Sequence, residues 1–317
     1  MSNALIIGHT GQDGSYLWKL LSAQKYDLMG VSTTGVLSSQ KGNSVALDIR
    51  NYSEVEKLVK NYQPDELYYL AAVHQSSSDK QMEEGELFQK SIDINAKAFI
   101  NFLEAIRLHS KQTKIFYAAS SHIFGETLSP IQDETTPLNP NCIYGITKTM
   151  GIRACYFYRD NYDVFASVGI FYNHESPLRA SKYVSKKIVE TAVAIKNGLK
   201  DKLTLGNLDQ RVDWGYAPDY VDAAYRILQL KSPGDFVISS GTTHSIKDFT
   251  VGVFSYLGLD WQKYVEINPN LITKKQKQNL SGNNKKLKNA TGWENSVTFS
   301  GLIKILVDAE LEKHATK

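Results

Sequence analysis

Short apolar runs alternate with segments of helical hydrophobic spacing along the first half of the chain. Ala4–Ile7 is such a run and stops at Gly8, which is typical of a strand buried on both faces of a parallel sheet. The apolar residues of Tyr16–Ala23 recur on one helical face. The same pattern predicts further strands at Leu28–Val31, Val45–Leu47, Glu66–Leu70, Ile115–Ala118 and Val164–Ile170. It predicts further helices at Ser53–Val59, Ile94–Ile106 and Gly145–Tyr158, the first of them opened by a capping box at Ser53.

Repeated strand–helix units of this length predict an α/β protein with a doubly wound parallel sheet of the Rossmann type. The second half of the chain is less regular. Its pattern predicts a strand at Asp235–Ile238 and helices at Tyr183–Leu199, Asp219–Leu230, Ile246–Leu257 and Ser300–Glu312. Lys274–Lys288 contains six lysines and few apolar residues, which predicts a solvated connection.

Composition and charge exclude several classes of protein. The chain has 317 residues and a net charge of +3, too small a charge to indicate nucleic-acid binding. Its two cysteines, Cys142 and Cys155, form neither a disulfide framework nor a zinc ribbon, and no histidine has metal-ligand spacing. No apolar run is long enough to cross a membrane, and no signal peptide is recognisable, so we expect a cytoplasmic protein without a membrane or metal partner.

Three glycines follow the first strand and open the first helix. Gly8 permits the tight turn, Gly11 allows a pyrophosphate to approach the backbone, and Gly14 allows the helix to pack on the strand. This placement predicts a dinucleotide site, with the spacing GxxGxxG rather than GxGxxG. We expect cofactor contacts from this turn and from residues that follow other strands, namely Gly8, Thr10, Gly11, Gln12, Asp13, Gly14, Thr33, Asp48, Ile49, Leu70, Ala71 and Ala72.

The residues after the second strand favour NAD over NADP. This segment, Ser32–Gly35, contains neither the carboxylate that binds the ribose of NAD nor the arginine that accommodates the phosphate of NADP. Neutral hydroxyls can bind a ribose, but they cannot balance a phosphate. Asp48 and Ile49 either meet the adenine edge or form an ordinary turn.

Tyr144 and Lys148 form a YxxxK pair at the start of a predicted helix. A spacing of four residues puts the phenol and the ammonium on one helix face. A neighbouring lysine favours the phenolate, whose free pKa is about 10, and this yields a base for a hydroxyl proton. Ser120 and Ser121 directly follow the fifth strand, where either could bind the same substrate oxygen.

Together these motifs resemble the extended short-chain dehydrogenase/reductases, and among them the GDP-mannose 4,6-dehydratase family. The resemblance covers nearly the whole chain, and its most specific segments are Gly8–Leu17, Phe171–Arg179 and Gly206–Tyr220. It implies a nicotinamide cofactor and oxidation at C4 of a GDP-linked manno-configured sugar. It also implies that residues 1–170 form the dinucleotide-binding domain, that 206–232 return to it, and that 171–317 form a substrate-binding cap.

The resemblance also implies roles for individual residues. Ser120, Tyr144 and Lys148 would form the catalytic triad, and His174 would lie near the nicotinamide. Arg179 and Lys187 suit a diphosphate, although they could instead form a solvated basic helix start. The expected substrate contacts are His74, Ser121, Asn173, Glu175, Arg179, Lys187, Asn207 and Arg211.

The sequence departs from the family pattern where the dehydratase needs a base for the C5 proton. The family supplies a glutamate there, whereas this chain has His122, which is either a base or a polar wall of the pocket. Family arginines fall on Val212, with Arg211 shifted by one, on Thr273, and on Thr33–Thr34. The leading hypothesis is therefore NAD-dependent oxidation of GDP-mannose or a GDP-manno-heptose to a 4-keto sugar without loss of water.

The sequence is also compatible with other functions. A 4,6-dehydratase comes next, followed by a C4 epimerase or ketoreductase, and a regulatory subunit without turnover is disfavoured by the intact catalytic residues. The aromatic stretch Tyr156–Tyr158 is either a dimer face or core packing. The pairing of long helices in many relatives implies a homodimer or a homotetramer.

Overall fold

The computed structural model describes residues 1–33, 43–75, 82–271 and 280–315. Within these residues the strands are β1 (Asn3–Ile7), β2 (Asp27–Ser32), β3 (Asn43–Ala46), β4 (Glu66–Tyr69), β5 (Lys114–Ser120), β6 (Ala166–Phe171), β7 (Asn173–Glu175), β8 (Leu203–Leu205), β9 (Arg211–Tyr216), β10 (Asp235–Ile238), β11 (Thr243–Ser245) and β12 (Val265–Ile267). The α-helices are α1 (Gln12–Ala23), α2 (Tyr52–Tyr62), α3 (Glu84–Ile92), α4 (Ala98–His109), α5 (Ile143–Tyr162), α6 (Val184–Lys196), α7 (Ala217–Leu228), α8 (Ile246–Tyr256), α9 (Trp261–Tyr264), α10 (Lys285–Thr291) and α11 (Phe299–Ala315).

Seven parallel strands form the central sheet, in the order β10-β6-β5-β4-β1-β2-β3. The order reverses on either side of β1 and β4, so the sheet is doubly wound and confirms the predicted fold. Strands β1 and β4 are almost entirely buried, which accounts for the apolar and aromatic residues that follow Asn3 and Glu66. The crevice beyond their carboxyl ends is where this class of sheet binds ligands.

Two hydrophobic clusters hold the molecule together. The first surrounds the central sheet and includes α4, α7 and Trp293. The second is built from α6, α8 and α11 with Trp214 of β9. Two small sheets, β11-β9-β7 and β12-β8, accompany the second cluster. Because β7 follows β6 almost directly, it carries residues from the end of the central sheet towards the second cluster.

The structure corrects several predicted elements. Helix α2 begins after Asn51, whose side chain accepts the Ser53 N–H at 3.1 Å, so Ser53 is not the cap. The predicted helix Ile94–Ile106 is the later part of a longer helical stretch, in which a π-helical turn at Asp93–Lys97 joins α3 to α4. Of the predicted connection Lys274–Lys288, residues 274–279 lie outside the described residues, whereas Lys285–Lys288 begin α10 and bury Leu287.

His9 is buried behind the glycine turn and makes contact with β2. Its ring packs on Trp18 with a centroid distance of 5.8 Å. Within the described structure both ring nitrogens are buried without a hydrogen-bond partner. A Cβ atom at Gly30 would come within 2.5 Å of this ring, so β2 needs a glycine opposite His9.

Candidate active site

A cleft of about 840 Å³ opens at the carboxyl ends of the central strands. It brings together 14 of the 25 residues that the sequence predicts for the site. These are Gln12, Asp13, Leu70, Ala72, His74, Ser120, His122, Tyr144, Lys148, Asn173, His174, Arg179, Lys187 and Asn207. The remaining predicted residues do not line it, namely Gly8, Thr10, Gly11, Gly14, Thr33, Asp48, Ile49, Ala71, Ser121, Glu175 and Arg211.

The glycine turn has the shape of an anion cradle. Gly8 has a φ of +89°, and a Cβ there would lie 2.9 Å from the Ala71 nitrogen. A Cβ at Gly14 would lie 2.3 Å from the Gly8 carbonyl oxygen, so α1 packs directly against the turn. Gly11 precedes α1 without a side-chain cap in the described structure, and the first N–H groups of the helix can therefore bind a pyrophosphate.

Asp13 and His174 join this cradle to strand β7. His174 Nε2 lies 3.0 Å from both carboxylate oxygens, and its Nδ1 lies 2.8 Å from the Tyr172 carbonyl oxygen. Burial lowers the pKa of His174, but the Asp13 carboxylate outweighs burial and the net pKa is raised. Burial likewise opposes the charge of Asp13, yet His174 holds its pKa below the usual value. The two groups therefore form an ion pair at the cleft wall.

Tyr144 and Lys148 lie on the face of α5 that borders the cleft. The Lys148 ammonium donates to the Ala118 carbonyl at 2.7 Å and lies 5.7 Å from the centre of the Tyr144 ring. Lys148 is 1% exposed, and burial lowers its pKa to about 7. Burial, with Tyr183 adding to it, raises the pKa of Tyr144. The expected phenolate is thus not favoured here, because burial outweighs the nearby positive charge of Arg179.

A buried hydrogen-bond network fixes α5 beside the sheet. Asn95, in the π-helical turn, donates to Thr147 Oγ1 at 3.0 Å and to the Val73 carbonyl at 3.1 Å. It accepts the Val73 N–H at 2.8 Å. Thr147 directly precedes Lys148. This network therefore fixes the position of Tyr144 and Lys148 relative to the strands of the sheet.

Aromatic and basic groups from the second half of the chain form the opposite wall. His74 packs edge-on against the Tyr144 ring at 4.7 Å, and the Tyr183 hydroxyl lies 3.4 Å from His74 Nδ1. The Arg179 guanidinium stacks on the Tyr183 ring at 3.5 Å and lies 3.2 Å from a buried Glu175 oxygen. Sequence reasoning missed Tyr183; its position beside a basic helix start is the signal that could have identified it.

His122 lines the cleft together with Ser120 and Tyr144. Ser120 ends β5, and its Oγ accepts the His122 N–H at 3.4 Å. The His122 and Tyr144 rings are 5.8 Å apart. Burial lowers the pKa of His122, so the ring is neutral at neutral pH. The sequence did not indicate that Cys142 would contact this ring, with its sulfur 3.6 Å from Nδ1.

Several predicted site residues make contacts elsewhere. Asp48 pairs with Arg50 at 2.8 Å on the surface. Arg211 is exposed and binds Thr243 across the β9–β11 pair. Lys187 lines the cleft, but its ammonium donates to the Thr204 carbonyl at 2.8 Å.

The described residues contain no cluster of His, Cys, Asp or Glu that could hold a metal ion. They also contain no helix that is long and apolar enough to cross a bilayer.

The doubly wound sheet and the Tyr144–Lys148 face define a Rossmann-type protein of the short-chain dehydrogenase/reductase superfamily. The chain belongs to the GDP-mannose 4,6 dehydratase family, which matches it over residues 5–306. It is 36% identical to GDP-mannose 4,6 dehydratase 2 of Arabidopsis thaliana, covering 98% of this chain and 87% of that one. It is 30% identical to GDP-mannose 4,6-dehydratase of Vibrio cholerae, covering 98% and 95%.

Solved structures share the fold at lower identity. A putative epimerase from Burkholderia cenocepacia superimposes with a TM-score of 0.85 at 21% identity, covering 98% of both chains. The dTDP-glucose 4,6-dehydratase of Bacillus anthracis, solved in complex with NAD, gives a TM-score of 0.83 at 18% identity and covers 99% of this chain and 98% of that one.

Proposed function

We propose that the protein oxidises C4 of a GDP-linked manno-configured sugar, GDP-mannose or a GDP-manno-heptose, with NAD and releases a 4-keto sugar without removing water. The family supports the nucleotide-sugar substrate. One observation carries the absence of elimination. Among the described residues that line the cleft, Asp13 is the only carboxylate, and it is paired with His174. The position beside Tyr144 holds His122 instead.

The turn formed by Gly8, Gly11 and Gly14 fits the pyrophosphate of the cofactor. Cβ atoms at Gly8 and Gly14 would collide with neighbouring backbone, and no side chain caps the first N–H groups of α1 in the described structure. Bound NAD would supply a hydride acceptor. Ser32 and Thr33 offer hydroxyls but no cation for an additional phosphate, which favours NAD. The NAD complex of the structural relative from Bacillus anthracis supports this class of cofactor.

Tyr144 takes the C4 hydroxyl proton while the hydride leaves the same carbon, and Ser120 holds the substrate oxygen. For this step the phenol must first lose its own proton. Burial raises the pKa of Tyr144 and lowers the pKa of Lys148 to about 7. Lys148 thus exchanges a proton readily beside the phenol and stabilises the phenolate when charged.

Basic and polar groups of the second half are placed to bind the sugar diphosphate. Arg179, Lys182 and Lys187 line one side of the cleft, and Asn173 and Asn207 add amides. Arg179 lies against Glu175, whose pKa burial raises despite this contact. A diphosphate would add an anionic partner for these cations.

A 4,6-dehydratase is the alternative that family membership favours. That reaction needs a group that removes the C5 proton and returns a proton to the departing hydroxyl. His122 would have to perform both steps with a neutral imidazole whose Nδ1 faces Cys142. The dehydrogenase and the dehydratase therefore differ in whether His122 removes the C5 proton.

Mass spectrometry of the product distinguishes these functions. Purified protein is incubated with NAD and a GDP-sugar, and the sugar nucleotide is then weighed. Loss of two hydrogen atoms supports the dehydrogenase, whereas loss of a water molecule would reject it in favour of the dehydratase. His122→Glu should introduce water loss, because a carboxylate then faces the substrate. His122→Gln is the matched control, since it fills similar space without a base and should add no water loss.

We also propose that the protein assembles through α4 and α5. Ile100, Met150 and Phe157 are 37%, 40% and 52% exposed on these helices, and they lie along an apolar groove with Tyr158. A second copy of the same pair of helices would cover the groove and produce a homodimer, or a homotetramer if dimers pair again.

A further inference from the structure

His122 and Cys142 contact each other beside the reacting residues. The Cys142 sulfur lies 3.6 Å from His122 Nδ1, within hydrogen-bond range for sulfur. The same sulfur caps α5, because it accepts the Gly145 backbone N–H at 3.4 Å. Cys142 thus belongs at once to the start of the catalytic helix and to the surroundings of His122.

The backbone holds this pair in place. A Cβ atom at Gly145 would lie 2.4 Å from the His122 carbonyl oxygen, so the first turn of α5 packs directly on the backbone of His122. On its other side, the His122 N–H donates to Ser120 Oγ at 3.4 Å. The imidazole is therefore presented to the thiol by two fixed backbone contacts.

A thiol has one hydrogen to donate and a sulfur that can accept. The Cys142 sulfur accepts the Gly145 N–H, and its hydrogen can donate to His122 Nδ1, which lies 3.6 Å away. Burial lowers the pKa of His122, which keeps the ring neutral at neutral pH. A neutral imidazole that accepts at Nδ1 carries its proton on Nε2.

We propose that Cys142 is a positioning residue that holds His122 in the Nε2-protonated tautomer, so that the ring offers the substrate a hydrogen-bond donor and no basic nitrogen. The inference rests on the proposed function and explains why the protein does not remove water from the sugar. Only an unprotonated nitrogen can remove the C5 proton, and in this tautomer that nitrogen faces the thiol. Nε2–H then donates to a hydroxyl oxygen of the sugar.

The tautomer can be read directly from the ¹⁵N NMR spectrum of protein labelled at histidine. Neutral Nε2–H, neutral Nδ1–H and the imidazolium each give a different pair of ring nitrogen shifts. His122→Asn identifies the resonances by their disappearance. We expect Nε2–H at neutral pH in the wild-type protein without substrate. An Nδ1–H ring or an imidazolium would overturn the proposal.

Two variants of Cys142 preserve the helix cap, but only one of them keeps a hydrogen-bond donor. Serine and aspartate are both favoured caps, so α5 should remain folded, and a melting curve checks this. Cys142→Ser keeps a donor and should keep the Nε2–H tautomer. Cys142→Asp can only accept, and it should shift the tautomer ratio towards Nδ1–H by at least roughly fivefold, which corresponds to about 1 kcal/mol. An unchanged ratio in Cys142→Asp would overturn the role of Cys142.

Product analysis of the same variants separates this inference from the proposed function. Cys142→Asp frees a basic Nε2 and should release some product that has lost water, whereas Cys142→Ser should not. A wild-type protein that shows Nε2–H and still removes water would reject the proposed function while leaving the tautomer assignment intact. A reversed tautomer in Cys142→Asp without any water loss would overturn the link between this nitrogen and elimination.

Discussion

Replacing Asp13 by asparagine removes the charge of the Asp13–His174 pair while conserving side-chain volume. In the native protein the Tyr172 carbonyl can only accept, so His174 Nδ1 donates to it and Nε2 donates to Asp13. Both nitrogens carry protons only in the charged ring. With asparagine the ring becomes neutral at a lower pH, because the carboxylate that raises the pKa of His174 is gone.

The magnitude follows from the burial of the pair. The His174 and Asp13 side chains are 11% and 22% exposed, so the pair is well shielded but not sealed from water. A hydrogen bond to a charged group in such a position contributes about 1.5–3 kcal/mol. We therefore expect the free energy of unfolding to fall by about 2 kcal/mol at mildly acidic pH.

The pH dependence has a definite sign. His174 has a raised pKa in the folded state, so its contribution is complete below 6.5 and is lost as the pH rises through the raised value. Asp13 has a lowered pKa, so its contribution is present above 3.8 and is lost as the pH falls through the lowered value. The difference between wild type and Asp13→Asn should therefore be greatest between these two limits.

Urea unfolding of both proteins over a series of pH values measures this difference. Asp48→Asn is the matched control, because Asp48 and Arg50 form a surface pair with side chains 46% and 56% exposed. Its effect should be smaller and should not change across the range in which histidine titrates. A difference for Asp13→Asn that is the same in mild acid and in alkali would refute the ion pair.

The remaining predictions address the reacting group, the cofactor cradle and the assembly. Tyr144→Phe should abolish oxidation, measured as formation of reduced nicotinamide, while sugar-nucleotide binding persists. Gly14→Ala should cost about 1–3 kcal/mol of unfolding free energy and weaken NAD binding in calorimetry, since its Cβ would lie 2.3 Å from a backbone oxygen. Gly85→Ala, with open space around it, should be neutral or slightly stabilising. Phe157→Glu should reduce the mass in light scattering, because it places a charge in the apolar groove.

Each of these predictions can fail. Substantial oxidation by Tyr144→Phe would remove the phenol from the reaction. Equal stability and equal NAD affinity of the Gly14 and Gly85 variants would contradict the cradle. Leu199→Glu is the control for the assembly, because Leu199 is 65% exposed away from the groove. If that variant changed the mass as much as Phe157→Glu, or if neither did, the groove would not be the interface.

The central sheet could be predicted because each of its strands is encoded locally. Ala4–Ile7 and Ile115–Ala118 are continuous apolar runs, and burial on both faces leaves little room for another pattern. The strands β7 and β8 were missed because three residues carry no periodicity. They become strands only when β9 and β12 pair with them from distant parts of the chain.

The active site, too, could be predicted only in part from the sequence. The YxxxK spacing lies within one helix, so the common face of Tyr144 and Lys148 could be predicted. Their ionisation could not, because burial raises the pKa of one and lowers that of the other, and burial depends on the folded surroundings. The pairing of Asp13 with His174 joins residues 161 positions apart, and no local pattern encodes it.

The contact between His9 and Gly30 restricts the order in which substitutions can accumulate. Any side chain added at Gly30 meets the His9 ring, so that position is closed while the histidine remains. A smaller residue at position 9 opens the space without loss of a ring hydrogen bond, because both ring nitrogens of His9 lack hydrogen-bond partners in the described structure. Alanine at position 30 should then be tolerated. Positions 9 and 30 are therefore epistatic. A substitution at Gly30 is tolerated only after His9 has been replaced by a smaller residue.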